Sequence, residues 1–382
     1  GKTIVGTIAS YLSFLNGFQT AFMTPTEILA NQHFKTVSDL LTPLGINVQL
    51  FTSSTKTEGL KKNHQSFDIA IGTHTLIYEK VKFKNLGFVI IDEQQRFGVE
   101  QRAIIRNKGE NVHLLTMTAT PIPRTVALTL YGDLDLSILD EMPKGRILIK
   151  TWLVPHSKRD GAYKWIEEKV TKNKDQIFIV CPFIEESETM ITVKAATKEF
   201  ERLQKDIFPK LNLGLLHGKQ KAKEKDEILK NFRDGKIDIL VSTPVVEVGI
   251  DIPNATIMVI EEAERFGLAQ LHQLRGRVGR GVKESFCLLF TSSKNPLTLE
   301  RLKYMENIFS GAKLAEMDLK LRGPGQIYGT SQHGIPTLKI ASFSDFDLIE
   351  KTKKEAEIIF PKIKDYPNLQ KEIDTSKQIS PD

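Results

Sequence analysis

Short apolar runs, almost free of polar residues, recur along most of the chain and alternate with stretches of helical periodicity. In the first part they are Thr20–Met23, Val48–Phe51, Ile69–Ile71, Phe88–Ile91 and His113–Met117. Runs this short and continuous suit parallel strands buried on both faces; a sheet with one wet face would alternate polar and apolar residues. Between them, Thr26–Leu41 and Gln101–Asn107 carry apolar residues at helical spacing. The alternation predicts an α/β fold built on a doubly wound parallel sheet. A break at Asp140–Arg146, where Met-Pro-Lys-Gly supplies turn residues, precedes a second set of runs. These are Gln176–Val180, Leu213–Leu216, Ile237–Val241, Thr256–Ile260 and Ser285–Phe290. The expectation is two tandem α/β domains, 1–143 and 144–294, sharing architecture and nothing closer. From 295 to 382 the pattern changes to a helix over Leu297–Phe309, a glycine-rich segment Leu321–Gly334, a charged helix Asp345–Ile359 and a polar tail.

A chain of 382 residues can bury two or three cores. No apolar run approaches the roughly 18–20 residues of a membrane span, which argues against a membrane partner. Cys181 and Cys287 lie far apart without metal-ligand spacing, which favours a reduced, cytoplasmic protein and disfavours zinc. The net charge of +6 and a pI near 9.0 suit a polyanionic partner, although such a surplus is also ordinary.

Gly1-Lys2-Thr3, followed by an apolar helical run, reads as the back half of a G-x-x-x-x-G-K-[ST] phosphate loop. In such a loop backbone amides wrap the phosphates, the lysine reaches the β and γ oxygens and the hydroxyl holds Mg²⁺. The run Phe88–Ile91 ends in Asp92 and Glu93, at a strand tip where open α/β sheets bind ligands. Asp92 is expected to hold Mg²⁺ with Thr3, and Glu93 to orient or deprotonate the attacking water. The plain alternative is a strand ending in solvated acids. Thr118 and Thr120, in Thr-Met-Thr-Ala-Thr-Pro, follow another strand and are placed to report nucleotide through a neighbouring carboxylate. Thr24, Pro25, Thr26, Gly72, Thr73 and Arg124 fall after strands on the same edge. They are candidates to line a phosphodiester path, or simply turn and cap residues, with Thr26 a helix N-cap.

The most informative stretch is Gln270-Leu-His-Gln273-Leu-Arg275-Gly-Arg277-Val-Gly279-Arg280-Gly281. Arginines separated by glycines combine bidentate phosphate contact with close backbone approach. Arg277 and Arg280 are therefore expected to act as arginine fingers, with Gln273 also on the nucleotide. Upstream, Gly249 and Asp251 are candidates for ribose or the metal's water shell, and Ser242, Thr243 and Lys219 for the nucleic-acid backbone. His113, His217 and His272 read equally well as hydrogen-bonded structural residues.

In this order the segments resemble the superfamily 2 helicases over nearly the whole chain. The longer strings resemble the RecG family of ATP-dependent DNA helicases: Asp92-Glu-Gln-Gln-Arg-Phe-Gly-Val-Glu-Gln-Arg102, Met117–Thr125, Tyr131–Asp135 and Glu264–Gln273. The resemblance implies two RecA-like domains closing on ATP and Mg²⁺, and fork or Holliday-junction remodelling in recombination and repair. It further implies branched or duplex DNA as partner, a single-stranded-DNA-binding protein as a second partner, and a monomer in the bacterial cytosol. Glu316–Gly325 with Gly329–Gly334 resembles the family's translocation motif, implying a helical hairpin and loop in which Arg322 and Gln332 couple closure to movement. The close relatives are the Mfd-type transcription-repair translocases; a non-catalytic DNA-binding scaffold is the alternative of a different class. Gln95 stands where the family usually has His, Thr24 where it has Ala, and Pro244 where it has Thr. A start inside the phosphate loop further predicts weak or no ATPase activity from this chain alone.

Overall fold

The computed structural model describes residues 1–53, 67–120, 135–139, 141, 147–182, 189–244, 252, 254–281, 283–322 and 346–379. The predicted roles of Arg124, Gly249, Asp251 and Gln332, and the side chain of Arg322, lie outside the described residues.

One compact unit holds both sheets, in Gly1–Thr120, Glu141–Phe266 and Gln273–Ser293. The first sheet is built from β1 (Gln19–Met23), β2 (Val48–Phe51), β3 (Ile69–Gly72), β4 (Leu86–Asp92) and β5 (His113–Met117), in the order β2-β3-β1-β4-β5. All its pairings are parallel. Around it stand α1 (Lys2–Leu15), α2 (Glu27–Leu41) and α3 (Val99–Arg106). Gly6 brings α1 close to the sheet; a Cβ there would meet Ile90 Cδ1 at 3.3 Å. Thr26 caps α2, its hydroxyl accepting from Leu29 N–H.

The second sheet contains β6 (Lys150–Pro155), β7 (Gln176–Val180), β8 (Leu213–Leu216), β9 (Ile239–Ser242), β10 (Ala255–Ile260) and β11 (Phe286–Thr291), ordered β6-β11-β10-β7-β9-β8. Its pairings too are all parallel. The helices are α4 (Arg159–Asn173), α5 (Thr189–Arg202), α6 (Ala222–Arg233) and α7 (Leu268–Arg275). Strands β7 and β10 are buried at every position, as the continuous apolar runs require.

The second compact unit takes in Gly267–His272 and the chain from Lys294. There α8 (Pro296–Asn307) and α9 (Gly311–Arg322) pack against each other, and Arg301 pairs with Asp318 at 3.8 Å. The charged segment forms α10 (Phe346–Ile359). The tail read as merely polar is a further helix, α11 (Pro367–Ile379), opened by a proline whose missing N–H costs nothing at a first helical turn.

The expectation that the sheets share only architecture is corrected. Read from its far edge, the second sheet runs β8-β9-β7-β10-β11, matching β2-β3-β1-β4-β5, with β6 added. The equivalence reaches individual bonds. Thr24 N–H donates to Gly72 O, and Cys181 N–H to Ser242 O, each at 2.8 Å. Thr73 N–H donates to Phe51 O, and Thr243 N–H to Leu216 O, each at 3.2 Å. Asp68 Oδ2 accepts from Asn47 N–H at 2.8 Å where Asp238 Oδ2 accepts from Asn212 N–H at 2.9 Å. The amides of Gln19 and Gln176, at the starts of β1 and β7, each donate to a backbone carbonyl just before the neighbouring strand, Phe67 O and Ile237 O.

Candidate active site

In each sheet the chain crosses over at the two central strands, so the crevice beyond their C-terminal ends is the place for a ligand. In the first sheet Asp92 closes β4 there and is buried. His33 of α2, also buried, donates from Nε2 to Asp92 Oδ2 at 2.9 Å. The His33 ring lies 4.7 Å from that of Phe22, so stacking and the carboxylate fix its plane together. Sequence reasoning missed His33, which is one more polar residue in a helical pattern.

Glu93 follows in the left-handed region, φ 52° and ψ 52°, a conformation that side chains other than Gly, Asn and Asp rarely adopt. The turn lifts its carboxylate off the strand axis. Its Oε2 accepts from Gln95 Nε2 at 2.8 Å and from Ala119 N–H at 3.3 Å. Thr118 Oγ1 lies 3.1 Å from Gln95 Oε1 and 2.9 Å from Thr120 Oγ1. Glu93 is thus tied to the turn after β5 through two neutral groups, so the linkage carries no titrating imidazole.

Gly1 is exposed at the N-cap of α1, and Lys2 and Thr3 are half-buried in its first turn. Burial holds Lys2 below the usual lysine range, and the charge of Arg277 adds to this; Glu93 and Asp92 act the other way. Lys2 therefore feels the acids of the first sheet and an arginine that follows α7. A half-buried lysine within the field of two carboxylates and a second cation suits a ligand rich in negative charge.

The arginines at the end of α7 and just beyond it have different fates. Arg275 is buried, and burial lowers its pKa against the opposing Cys287. Arg277 is 9% exposed, while Arg280 is exposed. Gly279, at φ 72° with Ile149 Cγ1 only 2.9 Å from where a Cβ would stand, makes the turn between them. Gln273 is half-buried on α7.

The nucleic-acid candidates divide by access. Pro25 and Thr26 are half-buried and Lys219 is exposed. Thr24, Gly72, Thr73, Ser242 and Thr243 are buried at the strand ends. Thr24 Oγ1 bonds Thr26 O at 3.1 Å, while the hydroxyls of Thr73, Ser242 and Thr243 have no partner among the described residues.

The second sheet has its own arrangement at the equivalent crevice. Arg159 opens α4 as Lys2 opens α1, and Glu261 follows β10 where Asp92 ends β4. Here base and acid meet directly, Arg159 Nη2 to Glu261 Oε2 at 3.0 Å. Tyr163 Oη adds a bond to Glu261 Oε1 at 3.2 Å and accepts from Arg202. Burial pushes Glu261 up to about 7 despite Arg159. These groups border a cavity of 590 Å³. Cys181 lies at its wall and Cys287 is buried within β11; both are free thiols, raised by burial, Cys287 to about 12.

Comparison with known proteins gives three family matches: DEAD/DEAH box helicase over residues 1–129, helicase conserved C-terminal domain over 161–282, and ATP-dependent DNA helicase RecG, domain 3, C-terminal, over 308–373. The ATP-dependent DNA helicase RecG of Thermotoga maritima is 47% identical over 365 residues, 94% of this chain and 46% of that protein. The Bacillus subtilis protein of the same name is 47% identical over 363 residues, 93% of this chain and 53% of its own. A solved structure of RecG bound to a three-way DNA junction matches with a TM-score of 0.73 and 45% identity, over 92% of this chain and 46% of that one. Yeast Dbp5 bound to RNA and ADP BeF3 shares the fold, with a TM-score of 0.57 at 16% identity over 93% of this chain and 86% of that one. The chain spans about half the length of the curated relatives it matches.

Proposed function

The chain belongs to the RecG family of superfamily 2 helicases, and we propose that it is the ATP-driven motor of an enzyme that remodels branched DNA. The observation that carries this reading is the common electrostatic neighbourhood of Lys2, Asp92, Glu93 and Arg277. Gly1 and Lys2 take the nucleotide phosphates, and Arg277 and Arg280, with Gln273 beside them, approach from the second domain. Asp92, oriented by His33, and Thr3 offer a hard oxygen pair that fits Mg²⁺, which when bound supplies charge neutralisation at the phosphates. Glu93 holds the attacking water and takes its proton. Its bonds to Gln95 and Ala119 place it before substrate arrives, so little reorganisation remains.

The DNA path follows the strand-end edge of both sheets: Thr24, Pro25, Thr26, Gly72 and Thr73 in the first, Lys219, Ser242 and Thr243 in the second. Because several of these hydroxyls are buried and the Thr24, Thr73 and Thr243 N–H groups are bonded to neighbouring carbonyls, the exposed Lys219 makes the first phosphate contact. Thr118 and Thr120 relay the state of Glu93, and Arg322 serves movement on the duplex. The domains extend over 1–143, 144–294 and 295–382. The enzyme works as a monomer in the bacterial cytosol, with a single-stranded-DNA-binding protein as partner.

The test is ATP hydrolysis by the natural full-length protein with three-way junction, fork or linear duplex DNA. Branched DNA is expected to stimulate hydrolysis most. Glu93→Gln keeps the fold and lowers kcat by about 10²–10⁴-fold, the usual worth of a positioned general base. Absence of stimulation by branched DNA would overturn the reading.

A further inference from the structure

The sheets repeat one more device, and in the second sheet it has no role in the mechanism above. Beyond β5, a turn is closed by Thr120 N–H donating to Thr118 Oγ1 at 3.0 Å, and Ala119 N–H within it donates to Glu93. Gln95, three residues past Asp92, touches the same turn through Thr118. Beyond β11, Ser293 N–H closes an equivalent turn onto Thr291 Oγ1 at 3.1 Å. Ser292 N–H within it donates to Glu264 Oε1 at 3.3 Å. Glu264 stands three residues past Glu261, in the position of Gln95. Glu262, the counterpart of Glu93 and likewise left-handed at φ 44°, pairs with Arg265 at 2.8 Å. The contact with the turn has passed from the second acid to the fourth residue of the segment.

The segment that Glu264 belongs to is stiff. Arg265 N–H donates to Glu262 O at 2.9 Å and Phe266 N–H to Ala263 O at 3.2 Å, as Arg96 and Phe97 do in the first sheet. Phe266 is 2% exposed and the α7 leucines Leu268, Leu271 and Leu274 are fully buried. The chain then continues through Arg277 N–H, bonded to Leu274 O at 3.0 Å, into the arginine segment. Between Glu264 and Arg277 the chain is anchored by Phe266 and the three α7 leucines, with Gly267 and Gly276 at the two ends of that anchored stretch.

We propose that Glu264 and the backbone amide of Ser292 form a positioning pair of the second domain, one that holds the arginine segment in register with the exit of β11. The proposal rests on the motor reading above. A carboxylate on an amide is a charge-assisted bond, stronger than the neutral contact made by Gln95. Arg277 then reaches the phosphate site at a set height, and hydrolysis follows DNA engagement.

The experiment measures DNA-stimulated ATP hydrolysis and base pairs unwound per ATP on the natural full-length protein. Glu264→Ala and Ser292→Pro, which remove acceptor and donor respectively, are expected to lower stimulated kcat about fivefold or more, with KM for ATP changed less than about twofold. Glu264→Gln, which keeps a carbonyl acceptor, and Ser292→Ala, which keeps the amide, are expected to stay close to wild type. Thermal unfolding checks that the fold persists, and if Glu264→Ala does not fold, the two Ser292 variants decide. Equal activity of Ser292→Pro and Ser292→Ala overturns the proposal. A wild-type protein without DNA-stimulated hydrolysis overturns the motor reading beneath it.

Discussion

The two sheets place a base at the first residue of a helix and an acid at the tip of a central strand, and they use the pair in opposite ways. In the first, Lys2 and Asp92 are close enough to perturb one another, while Asp92 spends its direct bond on His33. In the second, Arg159 and Glu261 bind each other and recruit Tyr163. In one site the acid's direct bond goes to a histidine; in the other it goes to the cation itself. A repeated fold does not repeat its chemistry, because function rests on whether opposite charges at the crevice are satisfied from within.

The sharpest way to break this comparison is to remove the internal cation. Arg159→Met leaves Glu261 buried without its main opposing charge and is expected to cost about 3–5 kcal/mol near pH 8 by urea unfolding. Glu261 is protonated more readily folded than unfolded, at about 7 against an ordinary 4.5. Its contribution to stability is therefore fully present below about 4.5 and lost as pH rises through 7, on the order of 3 kcal/mol. Glu261→Gln should flatten that slope, and the penalty of Arg159→Met should shrink as the pH is lowered. A penalty independent of pH would show that the pair acts only as packing.

On the first sheet the corresponding intervention is smaller. His33→Phe keeps the ring against Phe22 and removes the bond to Asp92. We expect about a tenfold rise in the Mg²⁺ concentration needed for half-maximal hydrolysis, the usual cost of losing a ligand's supporting bond, with the melting temperature little changed. The comparison is sharpened last where the sheets agree. Gln19→Ala and Gln176→Ala each take the amide partner from a carbonyl before the neighbouring strand and should each cost about 1–3 kcal/mol in unfolding experiments. Unequal costs would mean that the strand starts are less alike than their bonds.

Much of this was legible in the sequence. Strands buried on both faces announce themselves as continuous apolar runs, and Asp92-Glu93 and the arginine segment stand out because acids and arginines at such places are costly without partners. The duplication was legible only in scattered identities, Gln19 with Gln176, Asp68 with Asp238 and Arg96-Phe97-Gly98 with Arg265-Phe266-Gly267. Between them equivalent positions hold different chemistry, Thr24 against Cys181 and Gly72 against Ser242, and share a backbone bond that any residue but proline can donate. His33 was hidden for another reason. Its partner lies across the fold, and helical spacing alone marks it as one polar residue among several. The burial of Thr73, Ser242 and Thr243 followed from strand length, which a pattern of residues places only to within a position or two.

The left-handed backbone at Glu93 has a consequence for how such a chain can change. The position is comfortable for glycine and uncomfortable for the glutamate it carries, so folding alone would favour a residue without the carboxylate proposed above to hold the water. Variants chosen for heat resistance without a demand for turnover would drift toward glycine there, and the same drift is expected at the left-handed Glu262 of the second sheet.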